Sequence, residues 1–288
     1  MKVHFLKVGD GDSTIVELPD NRLMMVDIMN GRNDYSYNSQ LENPINYLKQ
    51  LTSTREIFRY IQTHPVMDHL DGFYDLIQGF QIINFWDTPN TKKKPDEFSN
   101  GFRESDWNSY KTSSKGKELY YGRSTETVVS NSGSYIYSIY PIAPTQEFIN
   151  SGNGAEDWNS LSYIVLLVYE GFKILLGGDA TTAVWEDIQK WITYNIEAKK
   201  LLSDITIFKA SHHARKSGYC GSDLLKIMNP QAIISDDSVP IEESSHQNYE
   251  YFMTNRSPKG NVYSVSQNTI IADYYDYTNK KYQINYKN

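Results

Sequence analysis

The sequence predicts an α/β fold, a single-domain sandwich in which two layers of strands pack together with helices outside them. Three observations lead to this fold class. Short β-branched and aromatic segments, typical of strands, alternate along the chain with segments of helical spacing. No internal repeat or linker-like segment divides the 288 residues, and an apolar content of 39% suffices for a sizeable core. Strands and helices in this order bury their apolar faces most simply as stacked layers.

The chain opens with three strands that we expect to form an antiparallel meander. Residues 2–8 alternate in the manner of a strand and enter a polar turn at residues 9–13. Further strands are predicted at residues 14–18 and 22–28, separated by a turn at residues 19–21. Connections this short join antiparallel neighbours, because parallel strands need a longer crossover.

The remaining chain alternates between predicted strands and predicted helices. A polar loop is expected at residues 30–38. Residues 87–133 are interpreted as an insertion, polar and partly helical, that forms a lid or one wall of a substrate cleft. The predicted helices cover residues 44–51, 70–77, 182–194 and 222–228. The predicted strands cover residues 56–62, 81–86, 134–142, 161–169, 172–176, 204–210, 232–235, 262–265 and 270–274.

The segment THPVMDHLDG, residues 63–72, carries the densest group of metal-ligating side chains. Pro65 disfavours helical dihedrals at the residue before it, so His64 should lie in the turn after a strand. Asp68 and His69 then stand at the start of the following helix, close to His64 in space. Two imidazoles and one or two carboxylates at such a turn suit a divalent metal such as zinc. The alternative is that Asp68 caps the helix and the histidines are ordinary surface residues.

Three further strand-end loops carry residues of the kind that bind metals. Asp179 follows a strand and two glycines, His212 and His213 follow another strand, and Asn159 directly precedes a third. Active sites collect on loops that are held at the ends of rigid strands. We therefore expect these side chains to meet the His64 turn at one edge of the sandwich.

Composition narrows the class of protein. The formal net charge of −7 gives no global basic field for nucleic acid, and the one run of like charge is Lys92 to Lys94. Cys220 is the single cysteine, which excludes an internal disulfide and a cysteine-based zinc site. The N-terminal residues lack the apolar core of a signal peptide, and no window has the length of a membrane span. A soluble, cytoplasmic protein without a membrane partner is expected.

Three motifs in order, THPVMDHLDG, NSLSYIVLLVYEGFKILLGGDA and FKASHHARKSG, resemble the metallo-β-lactamase superfamily of αββα hydrolases. The turn VGDGDS at residues 8–13 is similar to the opening motif of the branch typified by the extracellular domain of DNA-uptake competence proteins. The resemblance spans residues 1–240, with a weaker match at His246. It implies a metallo-β-lactamase-type sandwich over residues 1–288, with the insertion at residues 87–133.

The resemblance also implies a set of metal ligands. Val66 stands where a second ligand of the His64 turn is expected, and Asn159 stands where many members have another histidine. Because valine has no lone pair to donate, we expect one well-held ion and a second that is weak or absent. Zinc is expected, with manganese as an alternative. The implied ligands are His64, Asp68, His69, the bridging Asp179, and one of His212 and His213.

For several residues near the predicted ligands, the sequence supports a functional role and, for most of them, a structural alternative. Asp68 is expected to orient or deprotonate the attacking water, besides binding metal. Asn159, Lys216 and Ser217 are candidate substrate-binding residues. Lys216 and Ser217 either hold a phosphate or form a capped surface turn. Asp71 either orients a ligand histidine or is a favourable charge in a helix's first turn. Asp12 is either a residue at the edge of the site or an ordinary turn aspartate.

The function implied by the resemblance is a metal-dependent hydrolase. A phosphodiesterase or nuclease comes first, acting through a metal-activated water on nucleic acid or a small phosphoester, because the nearest branch is linked to DNA processing. One alternative is a hydrolase of small esters or lactones. Another is a catalytically weakened binding or regulatory subunit, for example a component of a bacterial antiphage defence system with a protein partner.

Overall fold

The computed structural model describes residues 1–30, 41–99, 101–113, 117–119, 122–123, 128–132, 135–236 and 239–287. Apart from Asn30, the polar loop predicted at residues 30–38 lies outside these ranges. The strands are β1 (Lys2–Phe5), β2 (Thr14–Glu17), β3 (Leu23–Val26), β4 (Glu56–Ile61), β5 (Gln81–Asp87), β6 (Lys117–Leu119), β7 (Val128–Ser132), β8 (Tyr135–Ala143), β9 (Ile164–Tyr169), β10 (Phe172–Leu176), β11 (Ile207–Lys209), β12 (Ala232–Ser235), β13 (Asn261–Ser264), β14 (Ile270–Asp276) and β15 (Lys281–Tyr286). The helices are α1 (Pro44–Leu51), α2 (Phe73–Gly79), α3 (Glu104–Thr112), α4 (Gln146–Ala155), α5 (Thr182–Tyr194), α6 (Ile196–Leu202), α7 (Ser222–Met228) and α8 (His246–Asn255).

The described strands form two sheets. The first has the order β15-β14-β1-β2-β3-β4-β5-β6, and the second has the order β13-β12-β11-β10-β9-β8-β7. Strands β1, β2 and β3 pair antiparallel, which confirms the predicted meander. From β3 to β6, and from β10 to β13, neighbouring strands run parallel. Each sheet therefore presents the carboxyl ends of several parallel strands at one edge.

The sheets pack face to face, and helices cover their outer faces. In β10, Ile174 belongs to the core between the sheets, whereas its neighbour Leu175 packs with Trp185 of α5 on the outer face. On the other side, Phe73 of α2 and Trp107 of α3 belong to the outer core of the first sheet. Alternate side chains of a strand thus pack into two different cores, one between the sheets and one beneath the helices. The predicted αββα sandwich is confirmed.

Residues 87–133 contribute to both sheets and to one outer layer. Strand β6 extends the first sheet beside β5, β7 extends the second sheet beside β8, and α3 packs on α2. The role of this segment as a lid or cleft wall stays a prediction. None of the helices in the described ranges is long and apolar enough to cross a bilayer.

Candidate metal site

The candidate site lies where parallel strands of both sheets end. Asp27 follows β3 and His64 follows β4 in the first sheet, whereas Asp179 follows β10 and His213 follows β11 in the second. The two edges meet here, because the backbone N–H of Tyr163 donates to the carbonyl of Thr63 at 2.9 Å. The strand-end loops that the sequence singled out are therefore brought to one place.

Four side chains form the centre of the site: Asp68, His69, Asp179 and His213. One ligand atom from each lies within 4.8 Å of the others. Nε2 of His69 is 3.3 Å from Oδ1 of Asp179. Nε2 of His213 is 3.4 Å from Oδ2 of Asp179 and 3.8 Å from Oδ2 of Asp68. The Asp68 side chain is 27% exposed, while the other three are buried.

These groups point unpartnered polar atoms at one another. Within the described residues, His69 Nε2, His213 Nε2, Asp179 Oδ1 and Asp68 Oδ1 have no hydrogen-bond partner. Buried polar atoms in proteins are almost always paired, so four orphaned atoms at one point need an explanation. Two imidazole nitrogens and two carboxylate oxygens are a donor set that suits zinc. The residues therefore fit a divalent metal ion. His64 and His69 are buried and no side-chain cap hydrogen bond begins the turn at Met67 or helix α2, so the alternative of a capping Asp68 and surface histidines is wrong.

Charge within the cluster explains its protonation in the absence of metal. Burial raises the pKa of the Asp179 carboxyl, but the nearby His69 and His213 hold it well below its usual value. Burial lowers the pKa of His213, yet the Asp179 carboxylate outweighs it and raises that pKa to about 9. The pKa of His69 is likewise raised, because Asp179 and Asp27 outweigh burial. A metal ion that binds here must displace protons from the imidazoles.

His69 is oriented by the carboxylate of Asp27, the residue that directly follows β3. Nδ1 of His69 lies 2.7 Å from Oδ2 of Asp27. Asp27 also accepts hydrogen bonds from the backbone and the hydroxyl of Thr63, at 2.7 and 2.6 Å. Asp71, to which the orienting role was given, is buried in the turn before α2, and its backbone N–H donates to the carbonyl of Met67. Orientation of another ligand by Asp71 stays a prediction.

The two adjacent histidines occupy different environments. Nδ1 of His212 lies 2.9 Å from the Ser217 hydroxyl, and its Nε2 lies 3.3 Å from the amide nitrogen of Asn159. Both ring nitrogens of His213 have no partner among the described residues. The backbone of His212, His213 and Ala214 is left-handed, with φ between 51° and 58°. This conformation costs on the order of 1–3 kcal/mol for each residue. This strained turn directs His213 into the cluster and leaves His212 at its flank.

The side of the site next to His64 offers fewer ligands. Nε2 of His64 is 4.0 Å from Oδ2 of Asp179, and its Nδ1 is 3.0 Å from the Thr63 hydroxyl. Burial lowers the pKa of His64 well below its usual value, so this imidazole is neutral. Val66 has no donor atom, and the amide nitrogen of Asn159 faces His212.

Three other predicted site residues lie at the periphery. Asp12 pairs with the buried Lys209 at 2.9 Å, and its turn packs against the Asp68 backbone through Gly11. The ammonium of Lys216 donates to the carbonyl of Glu242 at 2.6 Å. The Ser217 hydroxyl contacts His212 instead. Phosphate binding by Lys216 and Ser217 stays a prediction.

Comparison with solved structures gives matches at low sequence identity. No protein-family model and no curated protein matches the sequence. The CmlA β-hydroxylase E377D mutant superposes with a TM-score of 0.54 and 8% identity over 92% of this chain and 52% of that chain. CmlA from Streptomyces venezuelae, a diiron β-hydroxylase, gives 0.49 and 10% over 81% and 44%. A Thermotoga maritima protein, described as a Zn-dependent hydrolase of the metallo-β-lactamase superfamily, gives 0.40 and 9% over 90% and 97%.

The likeness is one of fold. The chain spans about half the length of the CmlA chains that it matches. Two stacked sheets with helices on both outer faces correspond to the predicted metallo-β-lactamase-type sandwich. The site at the strand ends of this fold has the ligand types for a metal, and its chemistry has to be argued from its own residues.

Proposed function

We propose that the protein is a metal-dependent hydrolase of the metallo-β-lactamase superfamily that cleaves phosphodiesters. One observation carries the proposal: four side chains from separate loops direct unpartnered nitrogen and oxygen atoms at a common point. Such a cluster costs folding free energy unless a cation satisfies it. The ligands in this proposal are Asp68, His69, Asp179 and His213, and zinc is the expected ion, with manganese as the alternative.

In this proposal the residues of the cluster have separate roles in metal binding and in positioning water. A divalent ion supplies Lewis acidity, which acidifies water and polarises a phosphoryl oxygen. Asp179 and His69 are buried and would hold the ion, and Asp27 would keep the His69 ring in one tautomer. Asp68 is the cluster member with an exposed side-chain surface of 27%, so it is the one that orients the attacking water and accepts its proton.

One strongly bound ion per chain is the expected stoichiometry. The second position, beside His64, has His64 and Asp179 as its donors, and Val66 and Asn159 do not complete the set. Two protein donors hold a divalent ion weakly, since catalytic zinc sites use three.

The substrate in this proposal is a short single strand, a nucleotide or a small phosphoester. A net charge of −7 disfavours a long duplex, which requires many Lys and Arg contacts. The relation to the competence-protein branch rests on the VGDGDS turn and the order of the motifs. A cytoplasmic location and a protein partner in a multi-component antiphage system stay predictions.

Metal analysis combined with turnover tests the proposal. We expect about one zinc or manganese per chain in the purified protein, and its loss in an Asp179→Ala, His69→Ala double variant. His246→Ala is the matched control, because His246 contacts Ser235 and Glu250 outside the cluster. The loaded protein should hydrolyse bis(p-nitrophenyl) phosphate. If the protein takes up no metal even after reconstitution, the proposal is wrong. Turnover of p-nitrophenyl acetate alone would favour the small-ester alternative.

A further inference from the structure

The basic side chains between residues 92 and 103 differ in whether an acidic side chain already pairs with them. Lys94 pairs with Glu104 at 2.6 Å, and Arg103 pairs with Asp75 and Asp106 at 2.7 and 2.9 Å. Lys93 is exposed. Lys92 is partly enclosed, and among the described residues no carboxylate forms an ion pair with it. A half-buried cation without a counter-ion is unusual, because desolvation of a charge is costly.

Lys92 lies on the flank of the metal cluster. Its ammonium sits 5.6 Å from the centre of the Trp158 ring, within the range of a cation–π contact. Trp158 directly precedes Asn159, whose amide nitrogen is 3.3 Å from Nε2 of His212. Burial lowers the pKa of Lys92 to about 8, and the negative charge of Asp68 opposes this effect. The ammonium is therefore charged at neutral pH and interacts electrostatically with Asp68 of the cluster.

The backbone before Lys92 is anchored. The N–H and hydroxyl of Thr91 donate to the side-chain carbonyl of Asn153 in α4, at 2.7 and 3.1 Å. The amide nitrogen of Asn153 donates in return to the carbonyl of Pro89 at 3.1 Å. These contacts fix the segment that carries Lys92, so its position relative to the cluster is set by the fold. Pre-positioned charges bind ligands without a large ordering cost.

We propose that Lys92, held against Trp158, binds an anionic oxygen of the substrate's phosphodiester next to the metal cluster. The inference rests on the proposed function and names its substrate class as anionic diesters, in preference to neutral esters. The positive charge of Lys92 acts on His64, whose side of the cluster has an incomplete donor set for a second ion. A fixed ammonium there supplies positive charge that a second metal ion provides in a complete site.

The test compares Lys92→Met, Lys92→Arg and the matched control Lys93→Met, all after metal reconstitution. Binding of diphenyl phosphate, a diester anion, is measured by calorimetry, and metal content is measured on the same samples. We expect Lys92→Met to weaken binding by about tenfold or more, as for loss of a charged hydrogen bond. Lys92→Arg should keep most of the affinity, and Lys93→Met should match the wild type. The rise in KM for bis(p-nitrophenyl) phosphate should exceed that for p-nitrophenyl acetate.

The outcomes separate this inference from the proposed function. Equal diphenyl phosphate affinity in Lys92→Met and wild type, at equal metal content and equal thermal stability, overturns the role of Lys92 and leaves the hydrolase proposal standing. A wild type that holds no metal overturns the hydrolase proposal. In that case the calorimetry on the metal-free protein still decides the matter for Lys92, because a weaker Lys92→Met supports the anion site and an equal affinity rejects it.

Discussion

The carboxylate of Asp27 lies 2.7 Å from Nδ1 of His69 and joins two neighbouring parallel strands of the first sheet. With Nδ1 of His69 held by Asp27, Nε2 faces Asp179 at 3.3 Å and offers its lone pair to a metal ion once its proton is displaced. This pairing of a carboxylate with a histidine fixes the tautomer and the ring orientation that metal binding needs.

Replacement of Asp27 by Asn should weaken metal binding by roughly 10–100-fold. Both carboxylate oxygens of Asp27 are hydrogen-bonded, Oδ1 to the Thr63 backbone and the Gln62 amide, and Oδ2 to His69 and the Thr63 hydroxyl. An amide has one acceptor, so either His69 or Thr63 loses its partner. Metal affinity is measured by competition with a chromogenic chelator. Asp20→Asn, which alters a carboxylate paired with Arg22, is the control, and an Asp27→Asn affinity equal to that of the control contradicts the assignment.

Metal affinity should rise with pH between about 6.5 and 9. In the metal-free protein the Asp179 carboxylate, which outweighs burial, raises the pKa of His213 to about 9, so this imidazole carries a proton at neutral pH. The ion has to displace that proton and the one on His69, and each displaced proton gives about tenfold higher affinity per pH unit until the pKa of its imidazole is passed. Calorimetry in buffers of different ionisation enthalpy counts the protons released. At least one proton is expected at pH 7 and fewer at pH 9.5, whereas no proton release at pH 7 counts against the cluster as the binding site.

The adjacent histidines should differ sharply when each is replaced by alanine. His213→Ala removes a nitrogen that has no hydrogen-bond partner in the described part of the chain, so the metal content should fall close to zero. His212→Ala removes a ring that contacts Ser217 and Asn159, so about one ion per chain should remain. Elemental analysis of both purified variants decides the question. Equal loss in the two variants would show that His212 is a ligand as well.

Elements with a strong local pattern were predicted well, whereas those that depend on tertiary contacts were not. Helices α1, α5 and α7 begin and end at the predicted residues. Helix α4 was missed because Gly152 and Gly154 lower helix propensity. Gly152 is required by packing, since a Cβ there would lie 2.3 Å from Cδ1 of Leu161. Strand β15 was missed because its polar, largely exposed side chains lack the pattern of a buried strand.

The same division applies to the site. The motif spacing was enough to identify the cluster residues as candidate metal ligands, because strand ends and the Pro65 turn are local signals. The role of Asp27 depends on β3 lying next to β4, which is a property of the sheet order and not of the nearby sequence. The difference between His212 and His213 depends on three consecutive left-handed residues, which non-glycine residues rarely adopt.

Gly11→Ala should destabilise the fold and loosen the metal site together. A Cβ at Gly11 would lie 2.0 Å from the carbonyl oxygen of Asp68 and 2.3 Å from Sδ of Met29. The methionine side chain can move aside, but the Asp68 backbone belongs to the turn that carries two cluster residues. Overpacking of this kind costs about 1–3 kcal/mol in unfolding free energy. Because the strain is relieved partly by displacement of Asp68, metal affinity should fall as well.

The matched control for Gly11→Ala is Gly79→Ala in the last turn of α2. A Cβ at Gly79 meets no atom of the described residues within 4 Å, so this change should leave metal affinity unchanged and slightly raise stability, by about 0.5–1 kcal/mol. Urea unfolding of the metal-free proteins measures the free energy of unfolding, and competition with a chelator measures the metal affinity. A Gly11→Ala protein that is destabilised but binds metal normally would mean that the glycine turn serves the fold alone. Weaker metal binding in Gly11→Ala than in Gly79→Ala would show that the turn at residues 9–13 supports the position of Asp68.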